Sequence, residues 1–295
     1  METQELLNKQ ILRFQQDEID GHEIYKGLAK IVRDPANSKI IADLSGDELG
    51  HYRTWRRYSG QEVKANRFKA FAYLLLGRIF GYTFVIKMLE KDEDKASQGY
   101  EPYKARFPEL EAIIRDEDEH EEQLIAMIDE ERLKYSGSVV LGLNDALVEL
   151  TGTLAGLTLA FQNTRLIALS GLITGIAAAL SMAASEFLST SSEETVKNPV
   201  KASIYTGLTY IVTVAVLILP YLLISNYYAA LAVMLVLGVL IIALFNFYSS
   251  VVREESFLKN FGRMTAISLG VAALSFGIGF LVRSVFGIEI GRAHV

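Results

Sequence analysis

The sequence predicts an all-α protein in two parts, a soluble four-helix bundle followed by five membrane-spanning helices. Three observations carry this. First, charge is divided unevenly along the 295 residues: 1–134 hold 21 Lys+Arg and 27 Asp+Glu, whereas 135–295 hold 8 of each. The net charge of −6 therefore belongs to the first part, and the mean hydropathy of +0.24 averages an acidic domain with a greasy one. Second, five apolar stretches of roughly 20 residues follow residue 138, each long enough to cross a hydrocarbon core. Third, the first part keeps a helical period with few strand signals and carries two matched Glu-x-x-His pairs. An acidic domain without a basic stripe argues against nucleic acid. The absence of cysteine excludes disulfides, iron–sulfur clusters, thiol nucleophiles and thiolate zinc sites. Met1–Arg33 alternates charged and apolar residues, unlike a signal peptide, which predicts a cytoplasmic first domain.

Within 1–134 the first helix is expected from about Gln4 to Val32, stopping before Asp34-Pro35. The second, about 37–58, ends at Ser59-Gly60. A third, about 67–100, stops between Gly99 and Pro102, and a fourth runs from near Pro108 to about Tyr135. Short links make these an antiparallel bundle. Phe68–Ile86 is apolar apart from Lys69 and Arg78. With Arg78 in mid-stretch it is read as a dimer contact or a surface lying near the membrane rather than a span.

The second part, 135–290, is expected to span at about 139–161, 166–188, 203–224, 229–250 and 264–286, leaving 291–295 as a tail. Five spans put the termini on opposite sides. With the N-terminus inside, the inner loops carry Lys197, Lys201, Arg253, Lys259 and Arg263 against Arg165, Arg283 and Arg292 outside. That bias agrees with a multi-pass protein of the cytoplasmic membrane whose N-terminal domain lies in the cytoplasm. Gly152/Gly156 and Gly171/Gly175 form two GxxxG patterns that suit close helix contacts.

Carboxylates inside these spans carry the chemistry. Asp145 and Glu149 stand four apart on one helical face, and Glu149 lies roughly 15 Å beyond Val139 along the axis. Met182 and Glu186 repeat the spacing on the second span. A carboxylate at that depth costs at least ~2.5–3.5 kcal/mol, so such groups usually line a polar pathway. Oxygen ligands with one thioether suit Fe²⁺ or Mn²⁺. The plainer alternative has Glu186 snorkelling to the interface and Asp145 pairing locally.

Leu141–Thr151 (LGLNDALVELT) and Ala177–Ser189 (AAALSMAASEFLS) resemble the first two transmembrane helices of the vacuolar iron transporter family. The resemblance implies a dimeric five-helix transporter moving Fe²⁺ or Mn²⁺ out of the cytoplasm against protons, with the family's embedded Asp and Met at Asp145 and Met182. Ser189–Lys201 is too short for the Glu-rich metal-binding insertion of plant relatives, although Glu193 and Glu194 remain.

In the soluble part, Glu48/His51 and Glu117/His120 each place a carboxylate and an imidazole on one helical face. With 17 Glu in 134 residues a given His has one three positions earlier about one time in eight, so a matched pair is uncommon by chance. The other two helices offer Glu18 and the pair Glu90/Glu93. Glu18 precedes Tyr25, and Glu93 precedes Tyr100, by seven residues, so each half repeats Glu…Tyr then Glu-x-x-His. This arrangement over residues 5–134 resembles the rubrerythrin-like members of the ferritin-like superfamily, which implies a di-iron centre, with Mn possible. The resemblance implies seven ligands: Glu18, Glu48, His51, Glu90, Glu93, Glu117 and His120. The cysteine site of full rubrerythrins is absent. Asp116, Asp118, Glu119, Glu121 and Glu122 are read as a solvated face, His22 as a packing residue and His294 as part of the tail.

Together the halves resemble the membrane-bound ferritin type of fusion. That resemblance implies a homodimer in a lipid membrane that exports Fe²⁺ or Mn²⁺, its bundle binding, sensing or oxidising iron. The alternatives are a membrane-anchored di-iron oxidase or peroxidase, and a membrane-bound iron store.

Overall fold

The computed structural model describes residues 4–100, 103–127, 134–193, 197–253 and 255–286, the side chains of 4 and 92–100 excepted. Among the described residues there are ten α-helices and no strand. They are α1 Gln4–Leu28, α2 Pro35–Ser59, α3 Arg67–Phe80, α4 Tyr82–Tyr100, α5 Leu110–Ala126, α6 Ser136–Phe161, α7 Thr164–Ser192, α8 Pro199–Leu223, α9 Tyr227–Val252 and α10 Phe257–Phe286. The chain forms two compact units, Met1–Glu130 and Glu131–Val295.

In the first unit α2 starts where Asp34 caps it, its carboxylate accepting from the Asn37 N–H at 2.8 Å, with Pro35 in the first turn. It stops at Gly60, which takes a left-handed φ of 65°. The single helix expected over 67–100 is broken. Gly81 adopts φ 97° and ψ 161°, outside the helical region, and separates α3 from α4. The expected end of the fourth helix, 128–133, lies outside the described residues, and the segment resumes as α6 at Ser136.

Two apolar clusters build this unit. Leu7, Ile11 and Phe14 of α1 meet Trp55 of α2 and Leu110 and Ile113 of α5. Ile24 and Leu28 of α1 meet Ile41 and Leu44 of α2, Val85 and Ile86 of α4, and Leu124 of α5. Along α1, α2 and α5 alike, the stretch between the two clusters (15–23, 45–54 and 114–123) is where Glu18, Glu48, His51, Glu117 and His120 fall. A polar layer is thus held between two dry ones.

The five helices of the second unit are each long and apolar enough to cross a membrane. Three begin with the same device: Asn163, Asn198 and Asn226 each accept from two first-turn N–H groups at 3.0–3.2 Å. These donors have no partner within the helix, and water is scarce at the bilayer edge. The GxxxG patterns are used inside the chain. A Cβ on Gly279 of α10 would lie 2.2 Å from the Gly156 carbonyl of α6, so these backbones touch. Gly171 and Gly175 of α7 receive Leu154 of α6 and Val214 of α8. Large apolar side chains such as Ile173, Leu180, Leu208, Leu222 and Leu274 remain exposed, as a lipid-facing surface requires.

Candidate functional site

The polar layer of the first unit converges on a point. Glu18, Glu48, His51 and Glu117 each offer one ligand atom, and the four atoms lie within 4.8 Å of one another. Donors about 2 Å from one shared cation stand at most about 4 Å apart, so the four atoms lie slightly wider than a closed coordination shell. His51 Nδ1 faces Glu117 Oε1 at 3.1 Å and Glu18 Oε2 at 3.6 Å. His120 Nδ1 lies 3.6 Å from Glu117 Oε2 and 3.9 Å from Glu48 Oε1. Glu117 thereby stands between the two imidazoles, whose ring centroids are 6.0 Å apart. His51 Nδ1 and Glu117 Oε2 are buried without a hydrogen bond. Three buried or half-buried carboxylates this close repel one another strongly unless cations lie between them. The residues fit a metal-binding group.

Outer contacts aim these donors, and the sequence reading missed the most informative of them. Asp116, taken for a solvated surface group, lies 3.4 Å from His51 Nε2. Asp47 does the same for His120 Nε2 at 3.3 Å. Each Nε2–H donates to a carboxylate and leaves Nδ1 as the inward donor, the arrangement that orients ligating histidines in metal sites. The pairing is crossed, since α5 supplies the Asp for the histidine of α2 and α2 the Asp for that of α5. A repeat that could have exposed it was present: Asp47-Glu48-x-x-His51 and Asp116-Glu117-x-x-His120 are the same five-residue pattern. Trp55 donates its indole N–H to Glu18 Oε1 at 3.2 Å, leaving Oε2 toward His51. Gly21, one turn after Glu18, makes room for a carboxylate: a Cβ there would meet Glu48 Oε2 at 2.9 Å.

The remaining predicted ligands are placed differently. Glu90 is half-buried and engaged by Lys87, 2.9 Å from its Oε2, outside the four-atom cluster. Glu93 and Tyr100 lie outside the described side chains, and Glu194 and His294 outside the described residues. His22 packs against α2, its Nδ1 2.6 Å from the Ser45 carbonyl.

Burial by itself lowers the His51 imidazole, but the close carboxylates of Glu117 and Glu18 override it and raise the group to about 11. For Glu117 burial works upward, and His120 and His51 bring it down to about 2. Burial of His120 is likewise outweighed by Glu117, and the group is raised. At neutral pH the metal-free site therefore holds a protonated His51 against ionised Glu117. A cation must displace that proton, so its affinity rises with pH. Loading at pH 7 is expected to release at least one proton per site, read with an indicator dye in weak buffer under anaerobic Fe²⁺ addition. Binding without proton release would show that His51 is not a ligand.

In the second unit the predicted pathway residues fall into separate contacts. Tyr210 of α8, fully buried, donates to Glu149 Oε2 at 2.8 Å. Asp145 is one turn earlier on the same helix. Ser138 of α6 donates to Glu186 Oε1 of α7 at 2.6 Å, and Thr206 of α8 donates to the Ser138 carbonyl at 3.0 Å. Met182 packs half-buried against the apolar core. Among the described residues no group of three carboxylate or imidazole ligand atoms converges in this unit. Tyr210 and Ser138 were not singled out from sequence; both are polar residues within or beside apolar helices, which was the available signal.

This polar thread runs along α6 and α7, and it coincides with a match to known proteins. Residues 136–197 match the VIT family. The chain thus carries a VIT family domain whose matched segment comprises α6 and α7 with Asp145, Glu149, Met182 and Glu186. With five apolar helices, this makes the chain a multi-pass membrane protein and points to transport of metal ions. No curated protein matches the chain. No solved structure matches it either.

Proposed function

We propose that the chain is a homodimeric transporter that exports Fe²⁺ or Mn²⁺ from the cytoplasm in exchange for protons. The observation that carries the reading is the coincidence of intramembrane carboxylates with the VIT family segment, in a chain that also builds a buried Glu/His group. In this reading Asp145, Glu149, Met182 and Glu186 offer the cation ligands within the bilayer. Protonation of the carboxylates on the far side releases it. Tyr210 and Ser138 hold Glu149 and Glu186 in place through the hydrogen bonds described above.

The first unit then serves as a cytoplasmic ferritin-like, rubrerythrin-like domain that binds iron and senses or oxidises it. Glu18, Glu48, His51, Glu117 and His120, with Glu90 and Glu93, would hold two iron ions, which when bound supply one-electron redox chemistry. The crossed Asp47 and Asp116 pairs fix the ring orientation of both histidines. Trp55 restrains Glu18, and the two apolar clusters keep bulk water from the layer.

Metal uptake by proteoliposomes under an imposed pH gradient tests the reading. Fe²⁺ or Mn²⁺ flux that moves with the proton gradient supports it. Oxidation of Fe²⁺ without flux would instead make the chain a membrane-anchored oxidase. The direction of export depends on topology, which is separately testable because the chain has no cysteine. Ser225 and Ser256 are both exposed, in successive interhelical loops. A cysteine at Ser225 is expected to react with an impermeant thiol reagent outside intact cells, and one at Ser256 is not. The reverse pattern would place the first unit outside and remove the export direction.

A further inference from the structure

The helix α3 carries an apolar stripe that the first unit leaves uncovered. Phe68 is 80% exposed, Phe71 63%, Leu75 44% and Ile79 57%. At 100° per residue these four fall within about 80° of one another, while Tyr73 and Gly77 on the opposite face are buried. The break at Gly81 isolates the stripe as its own short amphipathic helix, since α4 turns into the core with Thr83, Phe84, Val85 and Ile86 all buried.

Charge decides what covers it. The helix has Arg67, Lys69 and Arg78 and no acidic residue, in a domain that is otherwise acidic. Lys69 is turned back to Asp20, 3.7 Å away. Arg67 and Arg78 flank the stripe on one side, are exposed, and make no ion pair among the described residues. Two antiparallel copies of this helix packed about a twofold axis would bring these arginines together along one edge of an apolar seam, which is unfavourable. An anionic lipid surface matches both features. Exposed aromatic and aliphatic side chains enter the headgroup–acyl boundary, and arginines beside them meet phosphates. A bilayer is available to this chain, because its second unit carries five helices long and apolar enough to cross one.

We propose that α3 seats on the surface of an anionic membrane, with Phe68, Phe71, Leu75 and Ile79 in the lipid interface and Arg67 and Arg78 at the headgroups. The proposal requires the five spans but not the transport reading. The full-length chain tests it, because a single introduced cysteine is unique. A nitroxide on Phe71→Cys in phosphatidylcholine–phosphatidylglycerol proteoliposomes should be several-fold more accessible to oxygen than to a water-soluble nickel complex. The label on Arg53→Cys, an exposed site on α2, should show the opposite order. Ile79→Cys, on the same stripe, must repeat the Phe71 result, so a local defect at one site cannot decide the outcome. Replacing phosphatidylglycerol by phosphatidylcholine, or combining Arg67→Gln with Arg78→Gln, should move the profile toward water. Greater access for the nickel complex than for oxygen at both stripe sites overturns the proposal. So does low access to both reagents with spin–spin broadening, which would identify a second copy, and so does a profile indifferent to lipid charge.

Discussion

Asp145→Asn is expected to cut metal flux in proteoliposomes by well over tenfold while leaving iron content in the first unit unchanged. The substitution keeps the shape of the side chain and its capacity for hydrogen bonds, so the membrane helices should still assemble. What it removes is the charge that, in the proposed pathway, would stabilise a desolvated divalent cation. A loss of only ~1.4 kcal/mol at the barrier already lowers a rate tenfold, and a full charge inside a membrane is worth more than that. The neighbouring carboxylate cannot simply substitute, since Glu149 is itself one of the proposed ligands and its Oε2 is held by the Tyr210 hydroxyl. Met182→Leu makes a graded companion: volume and apolarity are kept and only the thioether is lost, so flux should fall less with little change in stability. Wild-type flux in Asp145→Asn would falsify a pathway through these residues.

Combining His51→Ala with His120→Ala is expected to abolish metal binding by the first unit of the full-length chain, a loss of about two iron ions per chain. Both imidazoles are buried and both face Glu117, so their removal deletes two neutral donors. It also strips the positive partners from Glu18, Glu48 and Glu117 in the metal-free protein. Uncompensated carboxylates in a layer between two apolar clusters destabilise the fold by several kcal/mol in comparable settings. Helix content by circular dichroism must therefore accompany the iron analysis. Asp47→Asn with Asp116→Asn provides the conservative control. It keeps every ligand and a hydrogen-bond acceptor for each Nε2–H, and loss of such outer partners typically lowers metal affinity 10- to 100-fold without abolishing it. Unchanged iron content in the folded double-alanine variant would remove the histidines from the site. If flux persists in that variant while Asp145→Asn is inactive, the bundle regulates or oxidises rather than forming part of the route.

Much of this was legible from local pattern. The five spans follow from runs of about 20 apolar residues, because hydropathy acts over a few neighbouring positions, whereas the Asn163, Asn198 and Asn226 caps that start three of them two to four residues earlier than expected were not read from the sequence. Glu48 with His51, and Glu117 with His120, share a helical face by virtue of their spacing alone. Even so, the sequence reading carried one helix through Gly81, where a glycine inside an apolar period gives no local sign of the φ it will take. It also left Asp116 on the solvated face. The contacts that correct it join residues far apart in the chain: Asp116 to His51 across 65 positions, Asp47 to His120 across 73, Tyr210 to Glu149 across 61 and Trp55 to Glu18 across 37.

Which residues were chemically competent, and on which helical face they stood, the sequence determined by itself. Which of them meet was decided by how α1, α2 and α5 pack through Phe14, Trp55 and Leu110 on one side of the polar layer and Leu28, Leu44 and Leu124 on the other. Helical period sets the direction of a side chain relative to its own axis. The rotation and offset of one axis against the next come from filling the shared apolar volume, and a contact of a few ångströms between two helices exists only once that volume is filled.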